Sequence, residues 1–235
     1  MKKFLLLMLM LVSMTAAAQK KDVTKFLGIP VDGTKAEMIQ KLKAKGFQYN
    51  SAKDYLTGEF NGHDVNVYVG TNNNKVWRIM VCDANECSET DIKIRFNNLC
   101  SQFAKNDQKY MPLNLGEKDY RIPEDEDISY EMSIHNKRYD ASYCQSLDPE
   151  YIDTLAVQQE LRTRILQKYT QEELDNPTEK QQEEIQNTIQ QESMKFVFEM
   201  VEKKLVWFMI SENYGSYYIT MFYDNEYNHS NGEDL

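Results

Sequence analysis

The sequence predicts an α+β protein: an antiparallel sheet with helices mainly on one face, in two related halves, the second carrying a helical insertion. Three observations predict it. Apolar residues alternate with polar ones in several short runs, the period of a strand with one buried face. Between those runs stand segments that open on Ser, Thr or Asp and carry apolar residues three and four apart, the mark of capped amphipathic helices. From residue 148 to 193 the alternation stops and Gln and Glu dominate.

Taken from the N-terminus, Lys2 and Lys3 precede an apolar run from Phe4 to Met14, and Ala16-Ala17-Ala18 offers small residues for cleavage. This is the pattern of a secretory signal peptide, residues 1–18, so the expected mature chain begins at Gln19 and is exported, periplasmic or secreted. The run is too short to span a bilayer comfortably, and no transmembrane anchor is expected after cleavage. Losing Lys2 and Lys3 from 27 basic residues leaves 25 against 37 acidic ones, a net charge of −12. Such a chain lacks the basic face that nucleic acid or an anionic membrane requires. The length after cleavage suffices for a real core, as one domain or two small ones.

The first half is expected over residues 19–115. Thr34 and Glu37 form a capping box for a helix over 34–45, with Met38, Ile39 and Leu42 on one face and Gly46 as its stop. Strands follow at 47–49 and 55–60, and Asn61-Gly62 signals a tight hairpin turn. The stretch from His63 to Cys82 organises this half. Val65, Val67 and Val69 alternate with polar residues, a Gly/Asn-rich turn follows, and the return strand places Trp77, Ile79 and Val81 on the expected core face with Arg78 outward. Ser88 caps a helix to about residue 105, whose Ile92, Phe96, Leu99 and Phe103 should lie on the valine face.

The segments FLGIPVDGTKAEMIQKLKAKGF, GEFNGHDVNVYV and TNNNKVWRIMV resemble a group of uncharacterised secreted proteins of Bacteroidota, over roughly residues 24–115. The resemblance implies an exported protein and brings no catalytic residue. In architecture the helix-plus-meander order is similar to modules of the BamE and β-lactamase-inhibitor-protein type. That likeness implies protein–protein contacts, by analogy of fold only.

The second half is expected over residues 116–235. Residues 123–127, Pro-Glu-Asp-Glu-Asp, read as a solvated acidic turn, since a calcium loop spaces its oxygens around a Gly turn. Alternation over 128–134 and 139–143 predicts a hairpin. Asp148-Pro149 is expected to start a helix, and residues 148–193 form the insertion. Strands are predicted at 195–202, 204–211 and 217–224, the middle one interior because residues 205–210 are apolar throughout. KVWRIMV at 75–81 echoes KLVWFMI at 204–210. The chain from 223 to 235 turns polar and is expected to fray.

Four cysteines in an exported chain permit disulfides. Helical spacing puts Cys87 and Cys100 about 19 Å apart, beyond the reach of a disulfide. Cys82 faces outward and Cys100 inward, so Cys82–Cys87 is the candidate bridge. Four reduced cysteines are the alternative.

No residue set reads as catalytic. His63, His135 and His229 are scattered, no Cys/His spacing suits a metal, and no phosphate loop or nucleophile elbow occurs. No metal and no cofactor are therefore expected. Tyrosines cluster near the C-terminus. Tyr214, Tyr217, Tyr218 and Phe222 are the candidate binding residues, with Tyr218 and Phe222 expected on an exposed strip opposite the core side of their strand. The expected function is a non-enzymatic exported binding or envelope-associated module with an unknown protein or envelope component as partner. The alternatives are a carboxylate-dependent hydrolase of an envelope or dietary polymer, since 37 acids offer many pairs, and a structural periplasmic protein.

Overall fold

The computed structural model describes residues 21–113 and 119–230; the expected signal peptide lies outside them. The fold is α+β, built on a large antiparallel sheet with no closed barrel. Strands β1 (Lys25–Phe26) and β2 (Ile29–Pro30) form a small hairpin of their own. Helix α1 (Lys35–Ala44) follows, then β3 (Gln48–Asn50), β4 (Tyr55–Phe60), β5 (His63–Asn72) and β6 (Lys75–Asp83). Next come α2 (Glu89–Lys105), β7 (Tyr110–Pro112), α3 (Ile128–His135) and β8 (Asp140–Gln145). Helices α4 (Thr154–Leu166), α5 (Gln171–Asp175) and α6 (Glu179–Val201) precede β9 (Leu205–Asn213) and β10 (Ser216–Asp224). The eight-stranded sheet has the order β3-β4-β5-β6-β10-β9-β8-β7. Along the chain α1 precedes β3–β6, and α2 precedes β7–β10 with α3 and then α4–α6 set between those strands. The last strands of the two sets, β6 and β10, pair at the sheet's centre with Met221 opposite Val81. The 75–81 and 204–210 echo falls on β6 and β9, which β10 separates in the sheet.

One face of the sheet is the core. Val65, Val67 and Val69 of β5 join Ile79 and Val81 of β6, Val206, Phe208 and Ile210 of β9, and Tyr217, Ile219, Met221 and Tyr223 of β10, all buried. Helix α1 lays Met38, Ile39 and Leu42 on this face, and α2 adds Ile92, Phe96, Leu99 and Phe103, as their spacing predicts. Phe96 meets Phe208 edge-on at 5.1 Å, and Phe103 stacks on Tyr143 at 4.3 Å. Gly58 is required in β4, because the Phe47 ring lies 2.5 Å from where a Cβ would stand.

Four hairpins close on two-residue turns with positive φ at both positions: Leu27-Gly28, Asn61-Gly62, Asn73-Asn74 and Tyr214-Gly215. Such turns match the right-handed twist of the strands and favour Asn-Gly. Leu27 and Tyr214 depart from that preference.

Several expectations are corrected. Ile79 and Val81 face the core as expected, but Trp77 does not: Gly70 pairs with Arg78 and Thr71 with Val76, so a bulge at Trp77 shifts the phase and buries Val76 in its place. Residues 128–135 are helix α3, not a strand. Asp127 accepts from the Tyr130 amide and Asn136 ends the helix at φ 51°, and these caps outweigh a short alternation. Asp148-Pro149 starts a single 3₁₀ turn, and the helix proper waits for the Asp153 cap. The predicted strand at 195–202 continues α6, since no Gly or Pro interrupts the chain from Glu179 to Val201. The tail does not fray at 223. Tyr223, Asp224 and Asn225 are buried, and the Asn225 side chain donates to Val31 O at 2.7 Å.

The insertion is an antiparallel pair, α4 against α6, with Ile165 and Ile185 buried between them. Ion pairs line its seam, Arg164 with Glu160 and Glu199 and Lys168 with Glu192.

Candidate functional site

The face of the sheet opposite the core is the feature that carries chemistry. Directly opposite residues on antiparallel strands share a face. Across β5, β6, β10 and β9 the register therefore gathers four rows: Asn66 and Tyr68; Arg78, Met80 and Cys82; Tyr218, Thr220 and Phe222; Trp207, Met209 and Ser211. Most of these are half-exposed. The cluster at the centre is rigid. Trp207 and Phe222 stack with ring centroids 4.0 Å apart and 15° between planes. The Arg78 guanidinium lies 4.8 Å from the Phe222 centroid and 4.2 Å from that of Trp77. Its Nε and a terminal nitrogen donate to both oxygens of Asp224 at 2.6 and 2.7 Å. Trp207 Nε1 donates to Asp224 Oδ2 at 2.9 Å. The buried carboxylate thus holds the guanidinium flat and offsets its charge in a two-pronged contact.

Arg78 and Asp224, which stands opposite it in the register and is bonded to it, are the charged residues of this centre, in a chain with 27% charged residues. Aromatic residues, methionine and an arginine neutralised by its own carboxylate suit the core of a protein interface, which is depleted of free charge.

The expected site residues separate. Tyr218 is half-exposed on this face. Phe222 shares the face but is 8% exposed, covered by the Trp207 ring and Arg78, so no exposed Tyr218–Phe222 strip exists. Tyr217 points the other way, into the core, with its hydroxyl 2.5 Å from Ser129 Oγ. Tyr214 sits alone and fully exposed at the tip of the β9–β10 turn. Sequence reasoning placed Arg78 outward but missed its partners Trp77, Trp207 and Asp224. The chain has two tryptophans, and their convergence required the bulge and the β6–β10 pairing, neither of which the alternation reveals.

The candidate Cys82–Cys87 disulfide does not form; all four cysteines are free thiols. Cys82 stands opposite Thr220 and Cys87 opposite Tyr217. Three residues of one strand span about 10 Å and point to alternate faces, too far for a bridge. Burial pushes the Cys100 and Cys144 thiols up to about 12, which makes them poor nucleophiles.

The acidic turn serves structure. Asp127 caps α3, and Glu126 accepts from the Tyr139 hydroxyl and pairs with Lys137. Lys137 holds the Glu126 carboxyl below its ordinary value. Among the described residues, no group of three or more His, Cys, Asp and Glu could hold a metal ion. A hollow of about 210 Å³ between α2 and the β4–β5 turn is lined by Asn61, His63, Asp91 and Arg95, among others. Asp91 accepts from Ser88 Oγ at 2.7 Å, and Arg95 is bound to Asp83 at 2.5 Å. Among the described residues, no helix is long and apolar enough to cross a membrane.

No family model, curated protein or solved structure matches the chain.

Tyr214 has φ 49° and no cover. A tyrosine is strained in that region, whereas asparagine is at ease there. Tyr214→Asn is therefore expected to raise stability by about 0.5–1 kcal/mol, read as a higher urea midpoint at constant slope.

Proposed function

We propose that the chain is an exported, non-enzymatic binding module that docks a protein partner through the outer face of its eight-stranded sheet. The observation that carries this reading is the charge-poor centre of that face, organised around Arg78 and its Asp224, Trp207 and Phe222 neighbours. Trp and Arg held in fixed geometry are the residues on which interface energy concentrates. Low charge lets the centre dry on contact without stranding an ion, because Arg78 carries its own counter-ion. The pattern of residues 1–18 supports export.

The test is capture from an envelope fraction by the tagged mature chain, compared with Met80→Glu. Met80 lies beside the cluster on the outer face. A carboxylate placed there must be buried unpaired on docking, so capture of the same partner should fall at least about tenfold. The melting temperature should stay close to that of the parent. Capture equal in both chains would overturn the assignment of the face. Turnover of a polysaccharide or peptide substrate, with no partner recovered, would favour the hydrolase alternative.

A further inference from the structure

We infer that residues 22–32 are a strap that opens and closes as a unit, and that its closure is the last step in completing the fold. The hairpin β1–β2 is a separate two-stranded sheet, outside the eight-stranded ladder. Groups from the middle and the far end of the chain hold it. Lys204 Nζ donates to Asp22 Oδ2 at 2.7 Å and to Ser146 O at 2.6 Å, and the Asp148 amide donates to the same Asp22 oxygen. The Gln145 side chain grips the Lys25 backbone on both sides, accepting from its N–H at 2.8 Å and donating to its carbonyl at 2.7 Å. Thr24 Oγ1 donates to Asp224 O, Asn225 to Val31 O, and Asn228 to Asp32 Oδ1. The Phe26 ring fills a slot between Phe60, at 5.2 Å, and Tyr223, at 4.9 Å. Lifting the strap breaks these contacts and no ladder bond of the main sheet.

Phe26, Ile29 and Val31 bury the strap in the core, and two features lower the free energy needed to open it. Asp22 Oδ1 is buried without a hydrogen-bond partner, a cost that water would relieve. Leu27 is held at φ 51° in the turn, a left-handed conformation that penalises a leucine. Both costs belong to the closed form alone. The contacts also join segments up to 200 residues apart, so loop closure makes them late. The cradle is assembled from segments around residues 60, 145, 204 and 224, and the strap seats only after they have come together.

Native-state hydrogen exchange in sub-denaturing urea tests this on the intact mature chain. The Lys25 amide, bonded to the Gln145 side chain, and the Asp148 amide, bonded to Asp22, report the strap; the Ile210 amide, bonded to Tyr139 O, reports the sheet. In the parent, the strap amides should exchange through an opening with little urea dependence, and Ile210 only through one with a steep dependence. Asp22→Asn should speed the strap amides at least about tenfold and Ile210 by no more than the same factor, because both openings start from the closed form, while the two urea dependences stay distinct. Leu27→Asn should slow the strap amides, and it remains informative if Asp22→Asn does not fold. Exchange of strap and sheet amides through one common opening in the parent overturns the inference. So does an unchanged or faster strap in Leu27→Asn.

Discussion

Phe208→Ala is expected to cost about 3–5 kcal/mol of folding stability. The side chain is fully buried, with ring centroids 5.1 Å from Phe96, 5.6 Å from Phe103 and 6.2 Å from Tyr143. It is therefore the point at which α2 is fastened to β8 and β9. Rings packed on several sides leave a cavity that the backbone cannot close, and the lost dispersion contacts add to the lost transfer energy. Its neighbour Met209 faces the other side of the sheet, and Met209→Ala should stay within about 1 kcal/mol. Urea unfolding of the two variants checks the pair of statements together. Similar costs would mean that the two faces of β9 have been assigned wrongly.

Asp22→Ala is expected to cost a similar amount, about 3–5 kcal/mol, by leaving the Lys204 ammonium buried without a counter-ion. Lys204 is 2% exposed, and Asp22 is the one carboxylate bonded to it. The pair Asp22→Asn/Lys204→Met keeps an acceptor for the Asp148 amide, removes both charges, and should recover most of the loss. A double variant as unstable as Asp22→Ala would contradict this account. The pH dependence has a definite sign. Burial holds the Lys204 pKa below the ordinary lysine value, against the opposing pull of Asp22. The unfolded chain then binds more protons than the folded one between the two values, so Lys204's contribution to stability rises with pH across that window. It is complete above the unfolded pKa and lost as the pH falls through the folded one. Lys204→Met should abolish this alkaline component of the stability profile.

Capped helices and paired strands were legible where local chemistry and tertiary demand agree. Thr34 and Ser88 cap their helices through the amides of Glu37 and Asp91. Asn61-Gly62 closes its hairpin, and the valines of β5 face the core. Errors arose where short alternation competed with a cap. Ile128, Tyr130, Met132 and Ile134 alternate like a strand, yet only Ile128 of the four is buried, and Asp127 and Asn136 decide the helix. The strand expected at 195–202 failed because an uninterrupted helix of 23 residues runs through it. The outer-face cluster was half legible. Residue 78 could be placed outward, but its pairing with Asp224 spans 146 positions, a relation no local window holds. Tyr217 has the core parity of Ile219 and Met221, whereas Phe222 failed as an exposed residue for another reason. Parity along β10 assigns a face, while cover depends on neighbouring strands, and Trp207 comes from elsewhere.

The helical arm leaves the sheet at the end of β8 and returns at the start of β9, and these strands are antiparallel neighbours. The Gln145 amide donates to Lys204 O at 2.9 Å, so the two ends of the excursion already touch. The sheet draws no register information from the arm, and the arm inherits a fixed anchorage from the sheet. In evolutionary terms this is an exchangeable cassette. Helices of other lengths, other surfaces or a bare two-residue turn could occupy the junction without disturbing strand order. Natural variation in such a lineage should accumulate between residues 149 and 203, while the junction itself, from Gln145 to Asp148 and at Lys204, stays constrained by the N-terminal segment it holds.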